Sequence, residues 1–373
     1  MISTPRILRF LCREGLLAGL LIVSSANAAT DAEAQKLIDD YNIAQTQWVS
    51  EMNLAAGTRN VDIVRKKQPD PAVTAAKLKT LLRSDLANEW TLKYGAWLLQ
   101  NDTALKPESQ RALLNTVEKN HMMSPELGAF CMGLVNLNQG NEMPKPGKMP
   151  VRSRGMKLLE TVKNKNPEPK VQGQAALALS IMQASLGDDG RLMRRRITNL
   201  KEAIIKSADV KLGNVTVAEI ARDELYKISN LTKGRVAPNI QGFDSANRPI
   251  SLKDFRGKVV MLVFWSSWDN DAGRVLEILR KSASKKAAEP FAVVGVNRDS
   301  LLNLRTLEAD QIVTWRNFSD PKQELAKAYR VASWPYCLVL DKEGAIAYRG
   351  LPGSFADAVA NDLLRPAPQK LQK

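Results

Sequence analysis

The chain has 373 residues, 44% apolar and 25% charged, with a formal net charge of +15. That length accommodates two domains with their own cores. Three cysteines with no Cys-x-x-Cys, and a single histidine (His121), exclude Cys/His zinc centres and a disulfide framework.

At the N-terminus, Arg6, Arg9 and Arg13 precede the apolar stretch Gly15–Val23, and small residues then lead to Ala26-Asn27-Ala28. This is the pattern of a secretory leader. The stretch is short of the roughly 20 apolar residues that a span needs. The expectation is an exported protein of the periplasm or cell envelope, cleaved after Ala28, with an uncleaved anchor as the alternative. Cys12 leaves with the leader. The leader carries three Arg and one Glu, so the remainder keeps a charge of +13. Its basic runs are short, as in Arg65-Lys66-Lys67 and Arg194-Arg195-Arg196, and read as solvated surface. An uncleaved leader or this surface gives the only expected route to a membrane. An exported chain has little access to nucleic acid, and none is expected as a partner.

Residues 29–232 read as one helical domain. The predicted helices are Asp31–Ala55, Pro71–Gln100, Pro107–Lys119, Ser124–Asn138, Arg152–Lys163, Lys170–Leu186, Leu192–Lys206 and Val217–Leu231. Apolar residues recur at helical spacing, as in Leu158, Leu159 and Val162. Pro144-Lys145-Pro146-Gly147 and Gly187-Asp188-Asp189-Gly190 mark breaks. Short helices with one apolar face must pair in hairpins. No clean repeat of tetratricopeptide length is present.

The period changes after Lys233-Gly234. Val259–Trp265 is a continuous apolar run, as for a strand buried on both faces. The predicted order continues with a helix over 272–287, a strand over 290–297, a helix over 301–309 and a short strand over 312–317. A helix over 322–329, a strand pair over 336–341 and 345–349, and a helix over 354–364 complete it. The domain is set at 233–366, followed by a tail, 367–373. Strands alternating with helices and then an antiparallel pair predict a mixed sheet covered on both faces. Overall the chain is expected to be α+β, with an all-α helical-hairpin domain first.

Five ordered segments in this second domain resemble one family. They are Val236-Ala237-Pro238-Asn239-Ile240, the stretch Ile250–Lys258, Phe264-Trp265-Ser266-Ser267-Trp268, Val293–Asn297, and Trp334-Pro335-Tyr336 running on to Gly344. Together they resemble TlpA-type thioredoxin-like redoxins of the alkyl hydroperoxide reductase/thiol-specific antioxidant superfamily. The resemblance implies an α/β thioredoxin-like fold and a Cys-x-x-Cys where β-strand meets helix. It places the attacking thiol at Asp269 and the resolving thiol at Ala272. A helix N-terminus stabilises a thiolate there. A carboxylate can use the same field or cap the helix, but cannot exchange disulfides. No cysteine stands between Asp244 and Tyr336. The dithiol is therefore lost, and no catalytic residue, cofactor or metal is expected.

The resemblance also implies that Pro335 is cis and faces the site. Trp268, Trp334 and Pro335 then form a rim that could bind an extended peptide, or the indoles merely cover a sheet end. Cys337 within Leu338-Val339-Leu340, and Cys131 within Ala129-Phe130-Met132, read as small apolar core residues; a monothiol role for Cys337 is the alternative. A Cys131–Cys337 bridge stays open. Asp269-Asn270-Asp271 lacks the later calcium ligands, since Gly273 and Arg280 stand at those positions, so capping is the expectation. Three functions compete: a non-catalytic binding or assembly protein of the cell envelope with a protein or peptide partner, a thiol-disulfide oxidoreductase, and a helical adaptor.

Overall fold

The computed structural model describes residues 11–55, 60–83, 85–137, 149–269 and 271–365. Residues 1–10 of the expected leader and the tail 367–373 lie outside these. Among the described residues, no helix is long and apolar enough to cross a membrane.

Two compact units are present. One holds the described residues up to Gly187 together with Arg194–Ala221. The other holds Asp188–Met193 and the described residues from Arg222 onward. The boundary falls inside a helix, eleven residues before the 232/233 division expected from sequence.

The first unit is built from α1 (Leu11–Ala55), α2 (Val61–Arg65), α3 (Pro71–Leu82), α4 (Leu92–Asn101), α5 (Pro107–Asn120), α6 (Leu127–Gly133), α7 (Val151–Lys165), α8 (Pro169–Gln183), α9 (Gly190–Ser207) from Arg194 onward and the start of α10 (Val217–Asn230). Sequence sets several starts. Asp70 accepts a hydrogen bond from the Ala72 N–H, and Pro71 opens α3; Glu168 and Pro169 do the same for α8. Thr216 and Glu219 form a reciprocal cap on α10. Residues from α4 to α8 share one apolar core, and α1, α3 and α4 share another. Tyr94 of α4, fully buried, donates to the Asp31 carboxylate of α1 at 2.6 Å.

The single helix expected over 71–100 is two helices. The Asn88 amide N–H groups, backbone and side chain, bond to Asp85, and the Thr91 hydroxyl donates to the Asn88 carbonyl at 2.7 Å. Short polar side chains satisfied by nearby backbone compete with helix. The break folds α4 back so that α3 and α4 both bury their apolar faces. The helix expected over 124–138 starts later, at Leu127, and tightens into a 3-10 turn over Leu134–Asn136; residue 138 is outside the described residues. The unit also holds a small hairpin, β1 (Lys211–Leu212) with β2 (Val215–Thr216), absent from the all-helical expectation. Its turn is Gly213-Asn214, with Gly213 at φ 64°.

The second unit opens with the hairpin β3 (Gln241–Phe243) and β4 (Pro249–Ser251). A five-stranded sheet follows from β5 (Val259–Trp265), β6 (Phe291–Asn297), β7 (Arg316–Ser319), β8 (Tyr336–Leu340) and β9 (Ile346–Gly350), in the order β7-β6-β5-β8-β9. β5, β6 and β7 are parallel; β8 and β9 run antiparallel. The helices are α11 (Ala272–Lys285), α12 (Leu301–Ala309), α13 (Glu324–Ala328) and α14 (Ser354–Leu364). All seven residues of β5 are buried. Val260, Leu262 and Phe264 face a core shared with α13 and the hairpin; Val259, Met261, Val263 and Trp265 face one shared with α11 and α14. This is an α/β thioredoxin-like fold, and the chain as a whole is α+β.

β7 begins four residues later than the sequence reading placed it. The Ile312 and Val313 N–H groups are taken by the Leu307 carbonyl at the end of α12, so the ladder starts only with Arg316 opposite Val294.

Candidate functional site

Three connections meet at the carboxyl ends of the parallel strands, where open α/β sheets place their sites. They are the loop from β5 to α11, the loop from β6 to α12, and the approach to β8. The Trp334–Pro335 peptide in the last is cis. β8 lies antiparallel to β5, with Tyr336 opposite Phe264, so Trp334 and Pro335 arrive beside the end of β5.

The first loop is held from below by Asp299. This carboxylate is buried, and both its oxygens accept from the Ser267 N–H, at 3.1 and 3.0 Å. The Asn303 amide bridges the Ser267 hydroxyl (2.7 Å) and Asp299 (3.2 Å). Asn297 in turn accepts from the Asp299 N–H. Ser267 is thus held by Asp299 of the neighbouring loop and by Asn303 of α12.

Asp269 sits on this platform. One carboxylate oxygen accepts from the Ser266 N–H at 3.2 Å. The other pairs with the Arg298 guanidinium at 2.5 Å, and the two side chains are only 11% and 13% exposed. The Arg298 guanidinium carbon lies 4.1 Å from the Trp268 ring centroid and 4.2 Å from that of Trp334. The cation is therefore held between two indoles and against a carboxylate. Removal from water strengthens each contact. Trp334 rests edge-on against Phe264, while Trp268 stays 51% exposed.

Four of the five residues singled out from sequence fall in this arrangement. Asp269, Trp268 and Trp334 converge on Arg298, and Pro335 follows Trp334. Ala272 is the first residue of α11 and is buried; its N–H donates to the Asp269 carbonyl at 3.0 Å. The expected capping is corrected. The N-cap is Asp271, its side chain makes no capping bond, and it pairs at the surface with Arg274. Asp269 lies two residues too early and is consumed by Ser266 and Arg298. Asn270 lies outside the described residues.

Arg298 was missed from sequence. Its only signal is position: it follows directly on the second parallel strand, at the sheet end where the site lies. Cys131 and Cys337 are free and fully buried. Burial pushes the Cys131 thiol up to about 12 and the Cys337 thiol higher still. Among the described residues, no group of three or more His, Cys, Asp or Glu could hold a metal ion.

Residues 233–349 match the AhpC/TSA family. Over these residues the second unit is similar to the thioredoxin-like redoxins of that family. Outside the domain the match does not extend. The chain is 25% identical to the thiol-disulfide oxidoreductase ResA of Bacillus thuringiensis over 114 residues, 30% of this chain and 66% of that protein. It is 28% identical to the thioredoxin-like protein YneN of Bacillus subtilis over 120 residues, 31% of this chain and 69% of the relative. Among solved structures, the thioredoxin domain of a thiol-disulfide oxidoreductase from Bacteroides vulgatus is 25% identical, covering 36% of this chain and all of that one, with a TM-score of 0.33.

Proposed function

We propose that this chain is an exported, non-catalytic binding or assembly protein of the cell envelope, whose redoxin domain offers Trp268, Trp334 and Pro335 to an extended polypeptide. One observation carries the reading. The seat that the family gives to the attacking thiol holds a carboxylate already engaged by Arg298, between the two rim tryptophans. An ion pair there can position or bind; it cannot exchange disulfides. The two buried thiols are far from the thiolate state that exchange requires. Export rests on the basic residues, apolar run and Ala-x-Ala of 1–28, and is checked by the N-terminal sequence of the protein in the envelope fraction.

The relatives bearing the name thiol-disulfide oxidoreductase favour a second reading, in which Cys337 or a partner's cysteine turns over. Insulin reduction separates the two. The wild type should show no turnover above the uncatalysed rate. Activity that disappears on Cys337→Ser would establish the second reading instead. The variant Asp269→Cys, Ala272→Cys should gain reductase activity, because the loop is held by Asp299 and Asn303 and not by the lost side chains. Arg298, freed of its carboxylate, would then stand beside the new thiol and favour its thiolate.

A further inference from the structure

The clamp at the site has a shape that states what it binds. Two indole faces hold one planar cation, and a carboxylate closes the end of the slot. A guanidinium stacks on both faces and still offers N–H groups in its own plane; an ammonium cannot do both. Three of the receptor parts have contacts besides the cation they hold. Asp269 is fixed by the Ser266 N–H, the turn beneath it by Asp299, and Trp334 by Phe264. The slot reaches solvent along Trp268, which is half exposed. Arg298 enters it as a side chain only, since its own N–H is bonded to the Trp265 carbonyl. The side chain can leave without moving the strand.

We infer that this clamp is a guanidinium receptor in its self-occupied state, and that a partner polypeptide engages it by placing an arginine side chain of its own between Trp268 and Trp334. The inference rests on the polypeptide-binding reading above and names the residue that the partner contributes. Arg298 then acts as a tethered competitor. A tethered group competes at an effective concentration in the millimolar range, so binding to the wild type is weak and removing the tether strengthens it. The opposing view is that Arg298 merely rivets a disused site.

Two acetylated heptapeptides decide between these, alike except for arginine or glutamine at the centre. Their binding to the full chain is read by anisotropy of a terminal dye. The Arg298→Ala protein should bind the arginine peptide at least tenfold more tightly than the wild type does, and at least tenfold more tightly than it binds the glutamine peptide. Adding Trp268→Ala should abolish that preference. Equal binding of both peptides by Arg298→Ala would overturn the guanidinium receptor while leaving a general peptide groove standing. Binding of neither peptide would overturn both. Should Arg298→Ala fail to fold, the wild type decides: a threefold or greater preference for arginine that is lost in Trp268→Ala supports the receptor, and no preference refutes it.

Discussion

Asp269 and Arg298 depend on each other because each is largely removed from water. Breaking one member of such a pair leaves a charge with neither solvent nor partner, at a cost of about 3–5 kcal/mol for fully buried pairs. At 11% and 13% exposure the lower end applies. Arg298→Ala and Asp269→Asn should each lower unfolding free energy by about 3 kcal/mol, read from urea midpoints. The double variant should cost much less than their sum, since neither charge is then stranded. Equal and additive losses would show that the pair is not coupled. Gly295 works at the same scale. A Cβ there would overlap the Asn317 side-chain oxygen and crowd the Trp265 indole nitrogen, so the bond from Trp265 to Asn317 needs glycine. Trp265 was readable as core from the apolar run. Arg298 was not, because nothing local marks a charged loop residue as the filling of an aromatic slot.

At the scale of elements, a second ion pair ties α11 to α14. The Asp357 carboxylate accepts from Lys286 at 2.5 Å and from the Ser282 hydroxyl at 2.6 Å, and Lys286 is only 3% exposed. Burial alone would raise the Asp357 carboxyl, but the bonds from Lys286 and Ser282 outweigh it and hold it below its usual value. A depressed carboxyl stabilises the fold above the unfolded value of about 3.9 and loses that contribution as pH falls through the folded value. Asp357→Asn should therefore destabilise by about 3 kcal/mol at pH 7, with a gap to wild type that closes as the pH drops below about 4. A gap of constant size down to pH 2 would rule out the charge as its cause. The same scale explains the break in the 71–100 segment. Helical periodicity runs through it almost unbroken, and only the Asp85–Asn88 turn, with its polar side chains, gives the chain a reason to reverse.

For the molecule as a whole, thiol chemistry has a single test. Cys131 and Cys337 are each buried in a different apolar core. With Cys12→Ser in place, native protein at pH 8 should leave Ellman's reagent unreacted over an hour. Two thiols should appear on adding guanidinium chloride. A fast-reacting native thiol would put redox activity back in play. The formal charge of +15 distributes over a surface where many basic groups are already paired, as Lys170 with Asp209, Lys281 with Glu277 and Arg330 with Asp223. Exposed pairs of this kind add little stability and keep the field local.

Periodicity alone determined that the chain is helical and then α/β, and it gave the order of the strands and helices from β5 onward, with β7 placed four residues early. Composition determined that no thiol stands at the strand–helix junction. These are local properties, written in spacing and residue type. The tertiary structure decided what stands at that junction: a carboxylate paired with a guanidinium 29 residues along the chain, which is stacked between an indole of the carboxylate's own loop and one from the approach to β8. Such a contact leaves no local pattern, because folding brings its members together from separate loops at the end of a sheet.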